Sequence, residues 1–273
     1  MPQIHPSAIV GEGVELPDDA LVGPNCVLEG HITLGPGARL MAGVCMSGRV
    51  VAGANLVCYP GVNLGFDAQD LKIEPGTPNA GVQIGDDCVF RECATVHGAT
   101  NDDTPTRVGD RAYFMVNAHA GHDSWVGDDV VLVNNTALGG HSEVHDRAIL
   151  SGSTMLHQFG RVGRQAMTSG CTALSNDLPP YFMAVERNLV VGLNLVGMRR
   201  SGIGRAEIDA VKRVYNEVFR KNPPQAELRE MLRERAADSN AVKTIYEFVS
   251  SSNRPLCQIG GRKVFRAIDE SEV

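Results

Sequence analysis

From Val108 to Pro179 the hydrophobic positions recur at every sixth residue. Val108, Phe114, Ala120, Val126, Leu132, Leu138, Val144, Leu150, Leu156, Val162, Thr168 and Leu174 form the series, and four residues after each stands a mostly small or branched partner such as Ala112, Ala118, Val130 or Ala148. An amphipathic helix repeats at about 3.6 residues and a half-exposed strand at about 2, so a sustained six predicts short strands separated by turns. Such units cannot bury an apolar face alone; stacked as a parallel β-helix they share one core. Three hexads make a triangular coil, so residues eighteen apart fall in one column, successive members about 4.8 Å apart.

The same count starts at Ile4, runs through Val10, Leu16, Val22, Leu28, Leu34, Leu40 and Met46, weakens over Ala52, Cys58 and Leu64, and resumes at Ile84, Phe90 and Val96. Two segments interrupt it. The first, 66–82, is rich in Pro, Gly and Asp and carries Gln69-Asp70-Leu71-Lys72; the second, 98–107, is polar. Loops that break a regular solenoid are natural places for function, and the first is the better candidate. Asp177-Leu178-Pro179-Pro180-Tyr181 is expected to end the ladder, because consecutive prolines lack the N–H that pairing needs. Beyond a linker the spacing becomes three and four: Ile208, Val211, Val214, Tyr215, Val218 and Phe219 predict a helix stopped by Asn222-Pro223-Pro224, with further helices over Ala226–Ala237 and Ala241–Val249. The expected architecture is mostly β with an α C-terminal domain: a β-helix over 1–190, helices over 191–257, and a partly disordered tail over 258–273.

Composition agrees with a narrow prism. The chain has 30 glycines and only 5% aromatic residues, which suits an interior filled by Val, Leu, Ile and Ala. A formal charge of −7 argues against a nucleic-acid binder as a whole, although 199–235 holds ten Lys/Arg against six Asp/Glu. Seven cysteines without a C-x-x-C pair give neither a disulfide framework nor a zinc ribbon and read as reduced. The N-terminus lacks a secretory pattern, and no uninterrupted apolar run reaches about 18 residues. A soluble, cytoplasmic protein without membrane insertion is expected.

The column rule gathers polar residues. His122, Gly140 and Gln158 fall in one file, and Asp123 and His141 in the file beside it. A histidine with its ordinary pKa near 6.5 suits a general base, although a lone histidine on a solenoid exterior is more often a solvated surface residue. Neighbouring side chains on a strand point to opposite faces, so a contact between His122 and Asp123 is favoured by a site at a corner or between subunits.

Several of these pieces resemble one family. Asn117-Ala118-His119 with His122-Asp123, Gly139-Gly140-His141, His157-Gln158-Phe159, Gln69-Asp70-Leu71-Lys72, Asp177 to Tyr181 and Gly197-Met198-Arg199-Arg200, in this order, are similar to the acyl-carrier-protein-dependent UDP-N-acetylglucosamine O-acyltransferases that begin lipid A synthesis. The resemblance implies a homotrimer of left-handed parallel β-helices with sites between neighbours. It implies transfer of a 3-hydroxyacyl group from acyl carrier protein to the glucosamine 3-hydroxyl of UDP-N-acetylglucosamine, with no metal or organic cofactor. By the same resemblance His122 is the base, Asp123 orients it, and Gly140 supplies an oxyanion donor. His119, His141, Asp70 and Lys72 surround the sugar or acyl group, and Gln158, Asn194 and Arg200 lie on the nucleotide side. Gly170 is the acyl-chain ruler, where a larger residue shortens the groove.

Two departures stand near the nucleotide end: Ser201 where the family commonly has a third basic residue, and Val185-Glu186-Arg187-Asn188 in place of a Gly-Asn-x-Ala segment. Three other readings use the same frame. One is N-acylation of a UDP-3-amino sugar. Another is a zinc carbonic anhydrase built on His119, His122 and His141, since three histidines can hold catalytic zinc; it leaves Gly140, Gln158, Asn194, Arg200 and the helices without a role. The third is a non-catalytic scaffold.

Overall fold

A computed structural model describes residues 1–260. The six-residue count becomes a left-handed parallel β-helix of short strands, most only two residues long. Val108 lies against Val126, which lies against Val144 and then Val162; Ala120, Leu138, Leu156 and Leu174 form a second file, and Phe114, Leu132 and Leu150 a third. All of these side chains are buried in one continuous core. The files make two sheets of 12 and 15 strands, the larger comprising two faces of the prism. Those two faces join because Val27–Leu34 and Cys45–Ala52 run around a corner without a break. Gly30 makes the bend at φ 114°, and a Cβ there would run into the Gly48 carbonyl of the next coil.

The other corners turn differently. From Arg111 to Cys171 every sixth residue is left-handed, with φ between 54° and 61°. Non-glycine residues adopt this region at a cost of about 1–2 kcal/mol, least for Asn and Asp, which fill several of these positions. The corner after the strands Thr95–His97, His119–Ala120 and Ala137–Leu138 carries both interruptions of the repeat. Across 66–81 the paired residues are 32 apart instead of 18, and across 98–105 they are 24 apart. Both insertions therefore leave the prism on the edge that holds the file of His122, Gly140 and Gln158.

The ladder does not stop at Pro179-Pro180. Phe182–Val185 pairs in parallel with Met167–Thr168, then pairs antiparallel with Leu189–Leu193. The prolines fall at a corner, where Tyr181 (φ 69°) is left-handed and donates its N–H to the Arg164 carbonyl, so their missing N–H groups interrupt no strand pair. Among the described residues four α-helices follow: α1 (Leu195–Arg200), α2 (Arg205–Glu217), α3 (Gln225–Ala236) and α4 (Asn240–Ser251). Three match the expected helices; α1, a six-residue helix containing a glycine, is too short to show a period of its own. Ile208, Val211, Val214 and Tyr215 of α2 and Ile245, Phe248 and Val249 of α4 bury their stripes. Arg161 fastens α4 to the prism, its Nε on Glu143 at 2.8 Å and its guanidinium 4.4 Å over the Phe248 ring. Of the expected tail, Gln258–Ile259 is ordered as a strand beside Leu189–Val190, and 261–273 lies outside the described residues.

The corner geometry makes a direct stability prediction. Gly30→Ala should cost about 2 kcal/mol or more, because strain at φ 114° adds to collision with backbone. Gly192→Ala, with nothing within 4 Å and no left-handed φ, should stay within about 0.5 kcal/mol of wild type. Paired denaturant titrations read both; equal stabilities would mean that the Gly30 corner relaxes freely.

Candidate active site

The left-handed turn at Asp123 (φ 57°) brings neighbouring side chains together. Where two successive strand residues would point apart, His122 Nδ1 lies 2.8 Å from Asp123 Oδ2. An ionised carboxylate can only accept, so Nδ1 carries the hydrogen and Nε2 is left as an acceptor. Asp123 is 7% exposed at its side chain, and burial alone would raise its pKa; the hydrogen bonds from His122 and Thr100 outweigh burial and hold the carboxyl below its ordinary range.

Thr100 contributes its N–H to Oδ1 at 3.0 Å and its hydroxyl to Oδ2 at 2.8 Å, and Asn101 Nδ2 reaches Oδ1 at 3.1 Å. All three donors belong to the second insertion, whose polar sequence suggests no role of its own. Nothing in Thr100-Asn101 marks it as special; only the shared corner places it over Asp123.

One coil above, Gly140 is glycine because the imidazole needs its space: a Cβ there would lie within 2.5 Å of His122 Nε2. Its N–H meets no acceptor among the described residues. In the adjoining file His141, also left-handed, sets Nε2 3.4 Å from Asp123 Oδ2 and stacks its ring on Phe159 at 4.6 Å. His122, Asp123 and His141 are the only three metal-capable groups with donor atoms within 4.8 Å among the described residues. The zinc reading required His119 in that set, and Asp123 stands there instead, its oxygens already engaged by four donors.

His122 and Gly140, but neither Asp123 nor His141, line a cleft of about 550 Å³ that passes from coil to coil along the prism. His119 and His97 form its inner wall, their rings edge to face at 5.1 Å. Burial, then the nearby His97 and His122, depress the His119 pKa to about 4, so it is neutral near pH 7; its Nδ1 pairs with the Thr95 hydroxyl at 2.7 Å. Burial also lowers His97. Gln158 lines the cleft, as does Gln69 from the first insertion, and Arg187 of the departing segment closes its far end beside Ala173.

Some expected residues lie elsewhere. Asp70 and Lys72 sit on the first insertion, where Asp70 Oδ1 accepts the Lys72 N–H at 2.9 Å; within one chain they flank the cleft without lining it. Asn194 and Arg200 line a separate basin of about 990 Å³ on another face of the prism, with Arg147, Gln165 and Arg199. Asn194 caps α1, Oδ1 accepting from Gly197 N–H at 2.9 Å and Nδ2 donating to the Gln165 carbonyl at 3.0 Å. A side-chain amide so held keeps one lone pair and one hydrogen for a ligand. Ser201 spends its hydroxyl on the Met198 carbonyl. Gly170 lies exposed at a corner without a left-handed φ, and a Cβ there would meet only the Gly152 carbonyl, at 3.6 Å.

Comparison with known proteins gives a consistent result. Residues 177–257 match a family model described as UDP-N-acetylglucosamine O-acyltransferase, domain 2. Acyl-carrier-protein-dependent UDP-N-acetylglucosamine O-acyltransferases from Mesorhizobium japonicum and Azorhizobium caulinodans are 45% and 46% identical, over 92% and 93% of this chain and 90% and 94% of their own. Among solved structures, the UDP-N-acetylglucosamine acyltransferase of Francisella novicida superposes with a TM-score of 0.90 at 31% identity, covering 96% of both chains.

Proposed function

Because the chain belongs to the acyl-carrier-protein-dependent UDP-N-acetylglucosamine O-acyltransferase family, we propose that it moves a 3-hydroxyacyl group from acyl carrier protein to the glucosamine 3-hydroxyl of UDP-N-acetylglucosamine, the opening step of lipid A synthesis. The observation that carries the reading is the His122–Asp123 pair facing Gly140 across one coil of a cleft. A sugar hydroxyl is a weak nucleophile near pH 7. His122 Nε2 takes its proton as the oxygen attacks the thioester carbon, and Asp123 stabilises the imidazolium through Nδ1–H. The carbonyl oxygen becomes an oxyanion that accepts from the free Gly140 N–H. Collapse of the tetrahedral intermediate breaks the carbon–sulfur bond, and the departing thiolate takes the proton from His122. Ester and free thiol result.

Neutral His119 donates or accepts toward the sugar or acyl group without adding charge beside the imidazolium. His141, Asp70 and Lys72 approach the same substrates, and Gln158 the nucleotide. Asn194 and Arg200 belong with the nucleotide as well, and their place on another face of the prism supports a homotrimer: a neighbouring copy would bring its basin against this cleft. No helix among the described residues is long and apolar enough to cross a membrane. The cytoplasmic location proposed for the enzyme comes from its carrier-bound donor. Its acidic carrier protein would be drawn to the cationic 199–235 segment.

Two experiments test the reading. Purified protein incubated with 3-hydroxyacyl carrier protein and either UDP-N-acetylglucosamine or its 3-amino analogue should yield the 3-O-ester by mass spectrometry. His122→Ala should lower that turnover by about 10²–10⁴ with its oligomeric state intact; retention of more than about a tenth of wild-type activity removes His122 from the chemistry. The second concerns Gly170. Its ordinary φ and open surroundings mean that neither the turn nor packing within the chain requires glycine, so the family's ruler role can be tested there without disturbing the fold. Since a buried methylene is worth about 0.8 kcal/mol and overpacking costs about 1–3 kcal/mol, Gly170→Met should shift preference to donors several carbons shorter in a mixed-donor competition. An unchanged preference in a folded variant would rule out the ruler.

A further inference from the structure

The second insertion touches Asp123 from both ends. Near its start Thr100 and Asn101 supply the three donors described above, and at its end Thr106 Oγ1 accepts the Asp123 N–H at 2.8 Å. The loop is itself braced. Asn101 Oδ1 accepts from the N–H groups of Asp103 and Thr104 at 2.9 Å, and backbone bonds tie the loop to the first insertion: Ala80 N–H to the Asn101 carbonyl at 2.7 Å, Thr106 N–H to the Gly81 carbonyl at 3.0 Å. A solvated surface loop has no need to place three donors on one buried carboxylate.

We propose that Thr100 is a positioning residue for acyl transfer, fixing through its amide and hydroxyl hydrogen bonds the Asp123 carboxylate that in turn orients His122. The inference rests on the reading of His122 as base. Rotation of an aspartate carboxylate about its terminal torsion is soft, so without a second partner on Oδ2 the imidazole would follow it. The hydroxyl also draws on the charge of that oxygen. The groups that face His122 are Asp123, His141 from the next coil with its ring 5.1 Å away, and His119 and His97 from the inner wall; only Asp123 is anionic. Removing a donor from Asp123 leaves more of its charge to the imidazole, which favours imidazolium and takes away free base at a given pH.

The test compares wild type with Thr100→Val, which keeps the backbone donor and the side-chain shape, and with Thr100→Ser, which restores the hydroxyl. Steady-state kinetics with 3-hydroxyacyl carrier protein and UDP-N-acetylglucosamine are followed across pH, alongside melting curves. Thr100→Val should lose about tenfold or more in kcat, the usual worth of a hydrogen bond to a charged group, with KM for the sugar nucleotide nearly unchanged. The acid limb of its kcat/KM profile should move to higher pH, and Thr100→Ser should return both to wild type. If the valine disturbs packing, Thr100→Ala adds no atom and must give the same readout. An unmoved acid limb in a folded variant, or failure of Thr100→Ser to restore it, overturns the inference while leaving an active wild type to support acyl transfer. Wild type inactive on these substrates would overturn both.

Discussion

A single backbone state, the left-handed residue at every sixth position, is what the remainder of this molecule depends on. It folds each short strand back toward the next face, so that aliphatic side chains eighteen apart stack into one core. It also breaks the alternation that keeps neighbouring strand residues apart. At Asp123 that exception creates the carboxylate–imidazole contact; at His141 it stacks an imidazole on the Phe159 ring; at Gly140, between them, the absence of a side chain admits His122. The cost of many such turns is spread along the prism and is offset by the burial that each coil completes.

The same corner decides where irregularity can enter. An insertion within a strand would shift the register and expose the core, whereas one at a corner only lengthens a loop. Both insertions are at the edge of the His122 file, so that one hangs Gln69 over the cleft and the other closes on Asp123. The polar cluster is consequently part of the scaffold. Asp123 stays ionised despite burial because the fold supplies donors enough, and His119 stays neutral because burial, then the nearby His97 and His122, disfavour its charged form.

Much of this was legible in the sequence, because a period of six and a column of eighteen are sufficient to place Gly140 and Gln158 above His122 without coordinates. The family resemblance, carried by short motifs around those positions, agrees with relatives that align along nearly the whole chain. What was not legible depends on contacts without a period. Thr100 and Asn101 reach Asp123 from a loop of ordinary polar composition. Pro179-Pro180 reads as a terminus until the corner that accommodates it is seen, and α1 is too short to announce itself. Arg187 reaches the cleft only because the Val185–Asn188 turn, with Glu186 and Asn188 left-handed, aims it there.

In the proposed reaction one corner of the prism assembles base, orienting carboxylate and oxyanion donor around a single reacting carbon. A crystal structure of the enzyme with its 3-O-acyl sugar nucleotide product is the sharpest test of that arrangement. The ester carbonyl oxygen is expected within hydrogen-bond distance of Gly140 N–H and the sugar 3-oxygen within reach of His122 Nε2, with Asp123 still on Nδ1. An ester seated against His119 or His141, with His122 Nε2 turned away from it, would contradict it.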